Sequence, residues 1–231
     1  PPPPPHHRRQ AARLTTPAPR ERRRRGPETV LDARLRRVID PPLGRVGASL
    51  ARAGVSADAV TLGGFLLGLA AMALIAAESY LLGLACLLLN RLGDGLDGAV
   101  ARHAGGPSDR GGFLDILADF IVYSGIVFAF ALADPAANAL AAAFLIFSFV
   151  GTGGSFLAFA VMAAKRGLST DARGRKSLYY LGGLTEGTET VLVLVAFCLF
   201  PGAFVPLALI FGALCWLTTA TRAATAWQTL R

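Results

Sequence analysis

The strongest constraint on the fold is a series of long apolar stretches between about residues 59 and 227. The chain has 231 residues, is 53% hydrophobic and has a mean hydropathy of +0.50, which is too apolar for a soluble domain with an ordinary charged surface. Several stretches approach or exceed the ~20 residues that a helix needs to cross a bilayer. We therefore predict an all-α integral membrane protein with six transmembrane helices, at about 59–77, 80–102, 111–133, 138–164, 178–200 and 204–227.

The N-terminal region has a different composition. Residues 1–27 are rich in Pro and Arg and poor in apolar residues, which predicts a disordered tail. In residues 28–55, Val, Leu and Ile alternate with Arg, which predicts interfacial amphipathic helices interrupted at Pro41-Pro42. Residues 56–231 would form the membrane domain. The run of arginines at 22–25 favours contact with anionic lipid headgroups over nucleic acid.

The charges predict the orientation of the chain in the membrane. Residues 1–45 contain 12 arginines and 4 acidic residues, a net charge of +8 that equals the net charge of the whole chain. The predicted turns at 78–79, 134–137 and 201–203 contain no Lys or Arg, whereas the connections on the other side contain several. By the positive-inside rule, both termini would be cytoplasmic in a multi-pass protein of the inner (cytoplasmic) membrane.

Four aspartates fall where two of the predicted spans meet. Asp94 and Asp97 are three residues apart on the second span, and Asp115 and Asp119 are four apart on the third, so each pair shares a helix face. Since the spans are antiparallel and joined by a short loop, both pairs would converge near the cytoplasmic end. Carboxylates at membrane depth need compensating charge, and an all-oxygen site suits Mg²⁺ or Mn²⁺. Two such ions are the usual clamp on a transferring phosphoryl group.

The residues around these aspartates fit a phosphate ligand. Gly98 and Ala101 remove side-chain bulk, and Arg102 offers a multidentate donor to phosphate oxygens. The alternative is that the aspartates only cap helices or pair with arginines, namely Arg91, Arg102 and Arg110. Arg91 lies within a span and needs a partner there, for which Glu186 or Glu189 is preferred over the substrate.

The aspartate pattern resembles the signature of the CDP-alcohol phosphotransferase family. The string Asp94-x2-Asp97-Gly98-x2-Ala101-Arg102-x8-Gly111-x3-Asp115-x3-Asp119 agrees with that signature at every fixed position and spacing. The resemblance extends to the six-span layout and to the lead-in from Gly54 to Thr61. Family members often have Pro-Asn where this chain has Ala57-Asp58, a departure at the nucleotide end of the pocket.

The resemblance implies roles for these residues. Asp94, Asp97 and Asp115 would hold two Mg²⁺ or Mn²⁺ ions, and Asp119 would complete the site and act as the base. The acceptor hydroxyl would lose its proton to Asp119 and attack the lipid-bearing phosphorus of CDP-diacylglycerol or another CDP-alcohol, with CMP leaving. A homodimer is also implied. The CDP moiety would be bound by Asp94, Asp97, Gly98, Ala101, Arg102, Gly111, Asp58 and Thr61.

The acceptor alcohol is not identified by the sequence. Candidate acceptor-binding residues are the polar ones expected around the cytoplasmic mouth: Glu186, Glu189, Arg166, Arg173 and Arg222. Alternatively, the basic residues among them only fix the topology.

Two rival functions are a divalent-cation transporter and a catalytically silent lipid-binding membrane protein. Clustering of the aspartates at one end disfavours the transporter, because a transport path needs polar groups across the membrane. The intact motif disfavours the silent protein.

Overall fold

The computed structural model describes residues 30–106, 108–166, 185 and 187–230, with side chains described from residue 41 onward, and all regular structure in these ranges is helical. A 3-10 turn, Pro201–Ala203, precedes the last helix. The helices are α1 (Val30–Arg52), α2 (Ala57–Ala76), α3 (Tyr80–His103), α4 (Asp109–Ala133), α5 (Pro135–Lys165), α6 (Gly187–Leu199) and α7 (Phe204–Thr229).

The helices confirm the all-α membrane class. The helices α2, α4 and α5, and α7 together with its preceding turn, are long and apolar enough to cross a bilayer. The 24-residue α3 coincides with the second predicted span but carries Asp94, Asp97 and Arg102 of the motif, and α6 has 13 described residues. Most of the predicted span boundaries agree with the observed helices to within three residues. The fifth predicted span began at 178, in a part of the chain outside the described residues, so six crossings remain a prediction.

The predicted interruption at Pro41-Pro42 is wrong, because α1 continues through both prolines. Proline usually ends a helix by removing an N–H donor and crowding the preceding turn. Here α1 packs on α3 directly after the prolines. The side chain of Leu43 on α1 packs against Gly95 of α3, and a Cβ added to Gly47 would fall 2.7 Å from the Cβ of Ala99. These contacts favour continuation of the helix. The predicted tail, residues 1–27, lies outside the described residues.

Small residues bring α2 close to its neighbours. A Cβ added to Gly93 of α3 would lie 3.3 Å from the Cα of Gly64, and one added to Gly68 would overlap the side chain of Val122 on α4. Glycine at these positions lets α2 pack against both α3 and α4. Gly64 and Gly68 are four residues apart, a spacing of small residues that is typical of closely packed membrane helices. The close packing also places the lead-in to α2 beside the aspartates.

The other end of the bundle is aromatic. Phe130, Phe197 and Phe204 are each 0% exposed, with ring centroids 4.8–5.7 Å apart, and Tyr80 stacks on Phe130 at 5.4 Å. Tyr80 begins α3 and Phe130 lies near the end of α4, whereas the aspartates occupy the opposite ends of these two helices. The aromatic cluster and the aspartates thus lie at opposite ends of the bundle.

Candidate active site

Three of the four aspartates form one close group. One carboxylate oxygen from each of Asp94, Asp97 and Asp115 lies within 4.8 Å of the other two. Such a separation is near the roughly 3–4 Å between ligand atoms around one octahedral Mg²⁺, and all three donors are the oxygens that hard cations prefer. The predicted convergence of the pairs across α3 and α4 is confirmed. This acidic cluster, defined as Asp94, Asp97 and Asp115, could bind a metal ion.

Thr61 connects α2 to the acidic cluster. Its Oγ1 lies 2.5 Å from Oδ2 of Asp97 and 3.1 Å from the carbonyl oxygen of Ala57, in the previous turn of the helix. A hydroxyl has one proton, so it donates to one of these acceptors at a time. When it donates to Asp97, it fixes the orientation of that carboxylate. Thr61, predicted to bind CDP, thus lies beside the metal-ligating candidates.

Asp119 lies one turn further along α4 and is paired with Arg91 of α3. Nη1 of Arg91 donates to Oδ1 of Asp119 at 2.6 Å. Asp119 is also close enough to Asp94 to interact with it electrostatically. The ion pair found for Arg91 within the described residues is with Asp119, whereas the expected pairing with Glu186 lies outside those residues and stays a prediction. The pairing of a motif aspartate with Arg91, one element of the alternative interpretation, is therefore present at Asp119.

Sequence reasoning missed two residues beside this pair. Nη1 of Arg91 also donates to the hydroxyl of Tyr123 at 2.8 Å, and the guanidinium lies 4.9 Å from the centroid of that ring. Nε and Nη2 both donate to Oδ1 of Asn90, at 2.9 and 2.7 Å. The spacing of Tyr123, four residues after Asp119, could have revealed it, because such residues share a helix face.

The start of α4 forms the rim of the site. The Oγ of Ser108 caps the helix by accepting a hydrogen bond from the backbone N–H of Gly111 at 3.0 Å. A Cβ added to Gly111 would lie 3.8 Å from Oδ1 of Asp58. Nε of the exposed Arg110 is 3.3 Å from Oδ2 of Asp58. Asp58 and Gly111, both predicted to contact CDP, therefore lie together, with Arg110 screening the carboxylate.

The end of α3 leaves room for a ligand. A Cβ added to Gly98 would lie 3.5 Å from Nη1 of Arg102, and Arg102 itself is exposed. The predicted phosphate donor is thus near the backbone of the glycine that follows Asp97. Ala101 is partly buried and adds little bulk.

The candidate acceptor residues are less concentrated. Arg173 and Glu186 lie outside the described residues, Arg166 is exposed at the end of α5, and Glu189 lies in the first turn of α6. Arg222 was expected at the mouth but is 7% exposed between α5 and α7, where its Nη1 donates to the carbonyl oxygen of Thr152 at 3.1 Å.

Arg222 also lines a cavity of about 570 Å³ between α5 and α7. Its Nε has no hydrogen-bond acceptor within the described part of the chain. A buried guanidinium with a spare donor can take an anionic group.

Comparison with known proteins decides the family. The model of the CDP-alcohol phosphatidyltransferase family matches residues 55–224, which contain the acidic cluster, Thr61 and Asp119. The chain belongs to this family. It is a membrane transferase that acts on CDP-alcohols in phospholipid biosynthesis.

The chain is also similar to individual proteins. The chain is 50% identical to inner membrane protein YnjF of Escherichia coli over 202 residues, which cover 87% of this chain and 98% of that protein. It is 35% identical to the archaetidylinositol phosphate synthase of Pyrococcus horikoshii over 100 residues, covering 43% of this chain and 53% of that enzyme.

Solved structures share the fold. The phosphatidylinositol phosphate synthase of Mycobacterium tuberculosis with CDP-DAG bound aligns with a TM-score of 0.65 and 21% identity, covering 80% of this chain and 93% of that one. The same enzyme in complex with manganese and citrate also has a TM-score of 0.65, with 22% identity, covering 80% and 88%.

Proposed function

We propose that this protein transfers a phosphatidyl group from CDP-diacylglycerol to an acceptor alcohol, with release of CMP. The observation that carries the proposal is the approach of three carboxylate oxygens to within 4.8 Å of one another, inside a chain of this family. A protein of the same fold has been solved with CDP-DAG bound, which supports the choice of donor.

We assign the metal site to the acidic cluster, with Asp119 completing it, and expect two Mg²⁺ or Mn²⁺ ions. The chemistry of the donors fits, because the cluster offers only carboxylate oxygens and places like charges together. When bound, such ions neutralise charge on the diphosphate and on the departing CMP. The manganese complex of a protein with this fold supports the assignment.

The remaining roles follow the layout of the site. Gly98, Ala101 and Gly111 leave space for the CDP moiety, Arg102 donates to its phosphate oxygens, and Asp58 and Thr61 border it. Asp119 takes the proton from the acceptor hydroxyl. The acceptor oxygen then bonds to the lipid-bearing phosphorus, and the bond from this phosphorus to the oxygen of CMP breaks.

The acceptor side and the orientation complete the proposal. We assign acceptor binding to Arg166, which is exposed, Glu189, which is half-buried, and Arg222, which is buried. Arg173 and Glu186, which lie outside the described residues, complete this assignment. Arg222 supports an anionic acceptor, because its Nε is a buried donor without an acceptor in the described residues. Both termini and the active site would face the cytoplasm, and the protein would act as a homodimer.

CMP release from CDP-diacylglycerol by the purified protein, with a panel of acceptor alcohols, tests the proposal. Asp119→Asn should reduce the rate at least ~100-fold, because a general base typically contributes that much or more. Asp109→Asn is the matched control, since Asp109 is exposed in the first turn of the same helix. Full activity in Asp119→Asn would refute the assigned base.

Removal of divalent ions tests the metal assignment separately. EDTA should abolish CMP release, and Mg²⁺ or Mn²⁺ should restore it. Divalent-cation flux in proteoliposomes without any CDP-alcohol, combined with no CMP release, would instead favour the transporter.

A further inference from the structure

Hydrogen bonds connect Arg91 on α3 directly to α4 and, through its neighbour Asn90, to α2. It lies on α3, its side chain is 13% exposed, and it donates across to Asp119 and Tyr123 on α4. Its neighbour Asn90, 3% exposed, accepts two donors of the guanidinium, and Nδ2 of Asn90 donates to the carbonyl oxygen of Gly64 on α2 at 2.8 Å. A chain of hydrogen bonds therefore runs from α2 through α3 to Asp119.

The geometry leaves the guanidinium little freedom. Of its five N–H donors, two point to the amide oxygen of Asn90, and Nη1 serves both Asp119 and Tyr123. The ring of Tyr123 adds a cation–π contact at 4.9 Å. A planar, charged group with this many fixed partners holds Asp119 in one orientation.

The bond to Asp119 uses only one of its oxygens. Arg91 binds Oδ1, and no other hydrogen bond of Asp119 is found within the described residues, so the contact with Arg91 sets the direction in which Oδ2 points. A catalytic base works best when its carboxylate is held in the correct orientation, because a misplacement of ~1 Å can lower the rate ~100-fold.

We infer that Arg91, anchored by Asn90 and Tyr123, is a positioning residue that orients Asp119 for proton abstraction from the acceptor alcohol. This inference rests on the proposed function. The motif shared with the family begins at Asp94, so this role belongs to residues of this chain outside the motif. Arg91 acts through Asp119 and does not contact the reacting atoms.

The variants Arg91→Met and Arg91→Lys test the inference in the full-length protein. Methionine removes the charge and every donor, and we expect kcat to fall by ~30- to 100-fold while KM for CDP-diacylglycerol stays within about twofold. Lysine keeps a charge and can reach Asp119, so the kcat of Arg91→Lys should be about tenfold higher than that of Arg91→Met. The control is Arg45→Met, an exposed arginine on α1, which should keep the parental kcat.

Several outcomes separate a positioning role from others. The stoichiometry of CDP binding gives the folded fraction of each variant, and kcat is calculated for that fraction. A purely structural role of Arg91 would lower the folded fraction and leave this corrected kcat unchanged. Unchanged kcat in Arg91→Met would overturn the inference, and so would a rise in KM that accounts for the whole loss, because that would indicate substrate contact. If neither Arg91 variant folds, Asn90→Leu decides, because it leaves Arg91 and Asp119 intact. Its kcat should fall about 3- to 10-fold, and an unchanged kcat would refute the inference.

Failure of the proposed function would look different. In that case the unsubstituted protein would release no CMP from CDP-diacylglycerol with any acceptor. Parental activity together with full activity of Arg91→Met would refute only the positioning role.

Discussion

The acidic and aromatic ends of the bundle are held together by different forces. At the acidic end, α2, α3 and α4 are joined by polar contacts such as Thr61 to Asp97 and Arg91 to Asp119. Asp94, Asp115 and Asp119 there are only partly buried. At the aromatic end, Phe130, Phe197 and Phe204 are fully buried and contact one another directly. Packing at one end can therefore hold three like charges together at the other.

This comparison predicts that activity and stability can be separated by substitution. Substitutions at the acidic end should change the rate and the response to metal with little loss of stability. Substitutions at the aromatic end should lower stability while leaving the rate of the folded molecules intact.

The largest expected effect is that of Asp97→Asn. CMP release should fall at least ~100-fold, because the amide contributes no charge to a cation site. Without metal, the thermal unfolding temperature should stay the same or rise, since one of three mutually repelling carboxylates is gone. The increase in unfolding temperature on adding Mn²⁺ should be lost. A clear fall in stability without metal would contradict the proposed division between the two ends.

Phe204→Ala should produce the opposite result. Truncating a fully buried aromatic residue typically costs ~3 kcal/mol, which lowers the unfolding temperature by several degrees in a protein of this size. The kcat of the protein that remains folded should stay within about twofold of the parent. Phe200→Ala is the matched control, because Phe200 is 63% exposed and should hardly change the unfolding temperature. A large loss of kcat in folded Phe204→Ala would show that the ends are coupled.

Thr61→Val removes one hydroxyl from the acidic end without changing the shape of the side chain. Without the hydrogen bond from this hydroxyl, the carboxylate of Asp97 is no longer held in one orientation, so we expect kcat/KM to fall about tenfold or somewhat more. Thr225→Val is the control, because Thr225 is exposed on α7 and its hydroxyl donates to the carbonyl oxygen of Thr221 in its own helix. Equal kcat/KM values for the two variants would mean that the Thr61–Asp97 bond does not matter for the reaction.

The acidic cluster could be predicted from sequence because it depends on local spacing. Residues three or four apart share a helix face, and a short connection forces α3 and α4 to be antiparallel, so the faces meet wherever the helices pack. The spans were predictable for a similar reason, since the length of an apolar run shows directly whether a helix can cross the bilayer.

The partner of Arg91 was harder to predict because it depends on how far each residue lies along its helix from the loop that connects α3 and α4. Arg91 lies 12 residues before the end of α3, and Asp119 lies 10 residues after the start of α4, which correspond to about 18 and 15 Å from the connecting loop. Comparing these depths would have favoured Asp119 over a glutamate on another helix.

The burial of Arg222 could not be predicted from the sequence. It depends on how α7 is rotated against α5, and the apolar residues of α7 do not define one face clearly. The continuation of α1 through Pro41-Pro42 likewise depends on its packing against α3, which local propensity does not report.

The smallest expected effect is that of Arg110→Gln, which tests where the acidic end stops. The ion pair of Arg110 with Asp58 joins a side chain that is 78% exposed to one that is 35% exposed. Exposed ion pairs contribute ~0–1 kcal/mol, so the unfolding temperature should hardly change and kcat/KM should stay within about threefold at moderate salt. Any loss should shrink further as salt is raised, because salt screens exposed charges. A tenfold loss of kcat/KM that persists at high salt would instead place Arg110 in direct contact with the nucleotide, and would extend the acidic end to the start of α4.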